Sequence, residues 1–174
     1  VKGLSAYVDL QYRHINYKMD GPTDDFSGTT QQVFNLEQKY DFFNPKAGLF
    51  YQINRNHSLY ASYALAHKEP TRNDFEDNIN THLRAEQLND WELGYKYQSE
   101  KFSAGVNLYY MAYRDQFVLT GEQNEIGEFI ARNAGKSYRR GVELQAAWSP
   151  VKWFRWDANA TWSHNRAKDW TVTL

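Results

Sequence analysis

The chain has 174 residues, 17% of them aromatic, no cysteine, and Lys+Arg 20 against Asp+Glu 21 for a net charge of -1. The balanced charge removes the basic excess that nucleic-acid binding needs, and the missing cysteine removes disulfide scaffolds, thiolate metal sites and cysteine nucleophiles. No apolar run approaches the roughly 20 residues of a membrane helix, but a mean hydropathy of -0.80 is also what a barrel with a wet lumen and polar loops shows.

From Leu4 to Lys18, Leu4, Ala6, Val8, Leu10 and Tyr12 alternate with Ser5, Tyr7, Asp9, Gln11 and Arg13, a period of two that predicts strand one. Met19 to Lys39 is rich in Asp, Gly, Thr, Ser and Gln, and Asp20, Gly21 and Pro22 break the alternation, so a long polar loop is predicted. Strand two runs from Phe43 to Ile53; its Pro45 cannot donate to a ladder and is expected near a strand end or a bulge. A turn at Asn54 to His57 leads to strand three, Ser58 to Ala66, with Leu59, Ala61, Tyr63 and Leu65 on one face. His67 to Gln87 is again long and polar.

The hairpin from Leu88 to Met111 states the pattern most clearly. Trp91, Leu93, Tyr95 and Tyr97, then Phe102, Ala104, Val106, Leu108 and Tyr110, alternate with Asp90, Glu92, Gly94 and Lys96, then Ser103, Gly105, Asn107 and Tyr109. Thr120 to Phe129 reads as loop, strand six sets Val142, Leu144, Ala146 and Trp148 against Gly141, Glu143 and Gln145, and a turn at Ser149 to Lys152 enters strand seven, Phe154 to Ser163. The pattern frays after Asn165.

These strands have the roughly 9 to 11 residues that a tilted membrane strand needs, against about 5 to 6 in most globular sheets. Their connections alternate long and short, the plan of a barrel with short turns at one edge and long loops at the other. The apolar faces of the clearest strands carry no Lys or Arg, while the opposite faces hold Asp9, Arg13, Asp90, Glu92, Lys96, Glu143, Arg155 and Asp157. Tyr12, Tyr51, Trp91, Tyr110, Trp148 and Trp162 lie near strand ends, as aromatic girdles require. The fold class is therefore all-β, a transmembrane antiparallel up-and-down β-barrel. Seven strands cannot close a lipid-exposed barrel without leaving edges, so residues 1–174 are expected to be an internal part of one larger barrel domain.

Three segments carry a family resemblance: LYASYALAHKEPTRNDF from Leu59, AEQLNDWELGYKYQSEKFSAGVNLYYMAYRDQF from Ala85, and NAGKSYRRGVELQAAWSP from Asn133. In that order they resemble TonB-dependent outer-membrane receptors, and the texture resembles the iron-complex receptors of Bacteroidetes. The resemblance implies a plugged barrel of roughly 22 strands in the bacterial outer membrane. It implies as partners the membrane lipid, a nutrient such as an iron chelate, and TonB, reached through an N-terminal part. The nutrient is expected to be a ferric siderophore or other iron complex, with vitamin B12 or glycan import as the rival within the class. A soluble β-rich domain and a passive porin are the readings outside it.

No catalytic arrangement stands out, since Ser62 with His67 and Ser163 with His164 are neighbours in sequence only. No cofactor and no resident metal are expected, although His67, Glu69, Asp74, Glu76, Asp77, His82 and Glu86 crowd one loop, because their spacing follows no ligand rhythm. For ligand contact the same loop offers Arg72, Asn73, Asp74 and Phe75: a guanidinium can clamp carboxylate or catecholate oxygens, and a ring can stack on a flat face. The competing reading is that Arg72, Asn73 and Asp74 only fix the loop's own conformation. Tyr113, Arg114 and Arg132, with Tyr109 and Asn133, are expected near the outer ends of strands five and six, above an implied plug.

Overall fold

The computed structural model describes residues 3–27, 30–78, 81–124 and 127–168. Seven strands, β1 (Leu4–Ser27), β2 (Thr30–Gln52), β3 (His57–Lys68), β4 (Glu86–Gln98), β5 (Phe102–Gln123), β6 (Phe129–Val151) and β7 (Phe154–Ala167), form one sheet in sequence order. Every neighbouring pair is antiparallel. One short helix, α1 (Arg72–Glu76), lies between β3 and β4. The sheet is open, with β1 and β7 as its edges.

The register separates two faces. Val8, Ala47, Tyr63, Trp91 and Tyr110 stand opposite one another across successive strands, and Asp9 with Lys46 or Glu92 with Tyr109 fill the alternate positions. The apolar face is uncovered: Val8 is 70%, Leu10 65% and Trp162 80% exposed. Buried apolar side chains among the described residues are Phe42, Phe75, Leu83 and Ala134, all at the loop-bearing end. Mid-sheet, this chain has no interior of its own, which is the condition of a wall between lipid and a filled lumen.

Strand lengths differ from expectation. Met19 to Ser27 and Thr30 to Lys39 are strand and not loop: β1 and β2 stay paired from Leu4↔Tyr51 to Pro22↔Val33. At Thr120 to Phe129 the loop expectation holds in part: β5 continues to Gln123 and β6 begins at Phe129. Above the membrane both faces of a hairpin meet water, so backbone pairing continues with no hydrophobic contrast to mark it. Pro45 lies inside β2, opposite Leu10, and not at an end or bulge. It sits one residue past Lys46↔Ala64, where pairing with β3 stops. β7 reaches Ala167 without fraying at Asn165; residues 169–174 lie outside the described part.

At the opposite edge the short turns are tied to one another. Asn54 Oδ1 accepts from the Asn56 and His57 N–H groups (2.9 and 3.1 Å), the side-chain route to a tight turn. The Asn56 amide donates to the Gln98 carbonyl (2.7 Å), and the Ser149 N–H donates to the Lys101 carbonyl (2.8 Å). Three turns thus form a continuous rim.

Candidate functional site

Because β3 and β4 are about half as long as their neighbours, the sheet has a notch between two tall hairpins, β1–β2 and β5–β6. Residues 69–78 and 81–85 fill it. On the first side, Arg13 Nη2 donates to Glu69 Oε2 (2.5 Å) and its guanidinium lies 5.2 Å over the Phe42 ring. Phe42 stacks between Tyr40 (5.5 Å) and His67 (5.1 Å, interplanar 2°), and Phe75 stacks on Tyr17 (5.9 Å). On the second side, Asn78 Nδ2 donates to the Ala131 carbonyl (3.0 Å) and Asn124 Nδ2 to Asp77 Oδ1 (3.0 Å). Asn133 Oδ1 accepts from the Arg84 N–H (2.8 Å) while its Nδ2 donates to the Arg84 carbonyl (3.0 Å).

The helix in this loop is only five residues long and depends on its cap. Asp74 accepts from the Thr71 N–H (2.7 Å), and the Thr71 hydroxyl oxygen accepts from the Asp74 N–H (3.3 Å), a reciprocal capping box. Burial, reinforced by the Glu69 carboxylate, pushes the Tyr40 phenol above its ordinary value. Burial and the Arg13 guanidinium hold His67 below its usual value. Tyr40 Oη and Arg13 Nε are enclosed without a hydrogen-bond partner among the described residues.

A family model described as "TonB dependent receptor-like, beta-barrel" matches residues 2–174. The chain belongs to this receptor family. No curated protein matches it. Among solved structures, the receptor segment is similar to the "Copper transporter OprC" (TM-score 0.79, 15% identity, 96% of this chain and 28% of that one). It is also similar to the ferric yersiniabactin uptake receptor FyuA from Yersinia pestis (TM-score 0.73, 17% identity, 97% and 25%). The FrpB iron transporter from Neisseria meningitidis (F5-1 variant, apoprotein form) aligns with TM-score 0.70 and 19% identity over 96% and 24%. The segment therefore spans about a quarter of the length of these structures, and at such identities the likeness is one of fold. The Bacteroidetes texture rests on the sequence resemblance alone.

Within the receptor segment the candidate residues separate. Phe75 is 6% exposed against Tyr17, and Asp74 is engaged in the cap. Arg72 and Asn73 are exposed, Arg72 Nε donating to Glu76 Oε1 (2.7 Å). Tyr113 shares a face with Tyr109 and lies under the Arg139 guanidinium (5.5 Å). Arg114, one residue on, takes the outward face of Tyr110. Arg132 is held by Asn78 Oδ1 (3.0 Å) and Glu122 (3.1 Å), at the far side of the notch from Arg72. The structure thus gathers Arg72 to Phe75 and Arg132 around one loop and sends Arg114 elsewhere. Sequence reading missed Arg13, Tyr17, Tyr40 and Phe42 as partners of this loop; only the inward parity of Arg13 gave a signal. Among the described residues no group of three or more His, Asp or Glu is arranged to hold a metal ion.

Proposed function

We propose that this chain is wall and outer loop of a single barrel domain in an outer-membrane receptor that binds a ferric siderophore or related iron complex and imports it with energy from TonB. The observation that carries the reading is the two-faced sheet: one uncovered apolar face, one polar face, and no interior mid-wall, in a chain of this receptor family. The iron class is supported by the resemblance of the sequence to iron-complex receptors and by structural neighbours titled as iron and ferric-chelate transporters. Lipid meets the apolar face, TonB acts through an N-terminal part, and the substrate undergoes no chemistry. The exposed Arg72 and Asn73 and the inward Tyr113 are the proposed contacts, while Asp74, Phe75 and Arg132 hold the loop that presents them.

The test is uptake of a radiolabelled ferric siderophore by cells expressing the full-length receptor under iron limitation, with and without TonB. Uptake lost with TonB supports the proposal. Cobalamin or glycan uptake in place of iron moves the substrate within the class, and TonB-independent flux of any small solute makes it a passive pore.

A further inference from the structure

Above the apolar band, the outward face of β5 to β7 turns basic. In β6 the register with β5 runs unbroken from Trp148 to Lys136, so Arg140, Tyr138 and Lys136 share the face of Val142, Leu144 and Trp148. By the same alternation Arg114 shares the face of Tyr110, and His164 and Arg166 share that of Trp162. The ladder sets these residues in rows: Tyr110–Arg140–His164, then Ala112–Tyr138–Arg166, then Arg114–Lys136. On β4 the rows continue as Trp91, Asn89 and Gln87, so none of them carries a carboxylate.

Two features set this patch apart from an ordinary solvated surface. First, Arg114 and Lys136 are directly opposed across β5 and β6, a like-charge pair that repels unless an anion lies between them. Second, Arg114, Lys136, Arg140 and Arg166 make no ion pair among the described residues, whereas the inward Arg13 and Arg155 each hold a carboxylate. Arg140 and Arg166 are diagonal neighbours, their Cα atoms about 7 to 8 Å apart, within reach of one phosphate. Arg140 lies over Tyr138 (5.6 Å), which stacks on Tyr110 (6.1 Å) and meets His164 at a tilt (5.8 Å).

Depth points to the partner. Arg140 is eight residues from Trp148, about 26 Å along a strand, or about 20 Å of membrane thickness at the usual tilt, close to the height of a barrel's apolar band. The basic rows therefore begin where hydrocarbon gives way to headgroups. We infer that Arg114, Lys136, Arg140 and Arg166 form a site for the anionic phosphate of a lipid headgroup in the leaflet at the loop-bearing end, with Tyr138 beneath it. The inference rests on reading the chain as a membrane barrel wall. Guanidinium forks suit phosphate oxygens, and basic clusters at a membrane surface draw anionic headgroups.

The test is native mass spectrometry of the full-length receptor in detergent, titrated with bis-phosphorylated lipid A and with the same lipid after phosphatase treatment. Wild type should retain the phosphorylated lipid and release the other. A K136Q/R140Q/R166Q variant should bind it at least about tenfold more weakly, while Arg139→Gln, inward on the same strand, should stay within about twofold of wild type. Equal retention of both lipids by wild type overturns the inference without any variant; so does unchanged binding by a folded triple variant. Displacement by millimolar inorganic phosphate makes the site one for free phosphate and overturns it as a lipid site. If the wild-type chain never enters membranes as a folded barrel, the wall reading itself fails; a folded barrel indifferent to lipid phosphate sinks only the headgroup site.

Discussion

The ring of Tyr60 covers the Cα of Gly94, its cross-strand partner on the inward face, so closely that a Cβ added there would overlap the ring. Tyr7 over Gly48 and Tyr109 over Gly141 repeat the arrangement. Each joins the two arms of one loop-bearing hairpin, and the ring supplies the packing that a strand glycine lacks. Gly94→Val should therefore destabilise the full-length barrel by about 1 to 3 kcal/mol, measured by denaturant unfolding in lipid vesicles. Tyr60→Ala removes the obstacle, so Gly94→Val added to it should have a clearly smaller effect; equal effects in both backgrounds would mean that the ring does not set the fit.

Val106 and Asn107 are adjacent on β5 and face opposite ways, Asn107 Nδ2 donating to Glu143 Oε2 (3.5 Å). Val106→Arg places a guanidinium in hydrocarbon at about 2 to 4 kcal/mol, and the full-length protein should be depleted from outer-membrane fractions. Asn107→Arg gains Glu143 as a partner and should assemble near wild-type levels. Equal depletion would show that the faces are misassigned.

The segment 69–78 is anchored at Phe75 and capped at Thr71. Phe75→Ala removes the stack on Tyr17 and should lower the local opening free energy by about 3 kcal/mol; Thr71→Ala should cost about 1 kcal/mol. Hydrogen exchange of residues 71–78 measures both, and protection unchanged by Phe75→Ala would mean that the notch is held by its polar contacts alone.

His67 stands above the apolar band, donating from Nδ1 to Asn44 Oδ1 (2.8 Å) and stacked on Phe42. Its folded pKa lies below the ordinary 6.5 through burial and the nearby Arg13, so the unfolded loop binds the proton more readily than the folded one. The loop's packing is then at full strength above about pH 6.5 and weakens as pH falls. Exchange of residues 71–78, corrected for intrinsic rate, should rise between pH 7.5 and pH 5.5 in the full-length receptor. His67→Gln should flatten that rise, and a pH response that survives the substitution would assign it to another group.

The wall was legible because lipid and lumen impose opposite chemistry on alternate residues: Leu108 and Tyr109 could be assigned to opposite faces from the period of two. Above the membrane that contrast ends, which is why Met19 to Lys39 read as loop although Met19 to Ser27 and Thr30 to Lys39 belong to paired strands. The cap went unread, although Thr71 and Asp74, three residues apart, have the spacing of a capping box. Phe75 was read as a ligand platform and not as an anchor, because its neighbour Tyr17 belongs to a distant strand.

The unbroken register of β1 with β2, from Leu4↔Tyr51 to Pro22↔Val33, makes that hairpin a mast with fixed increments. Adding one residue to a single arm would rotate every side chain beyond it to the other face, whereas equal additions to both arms lengthen it and leave the root at the membrane untouched. The height at which this receptor meets its surroundings is thus adjustable in matched steps, independently of the wall that carries it.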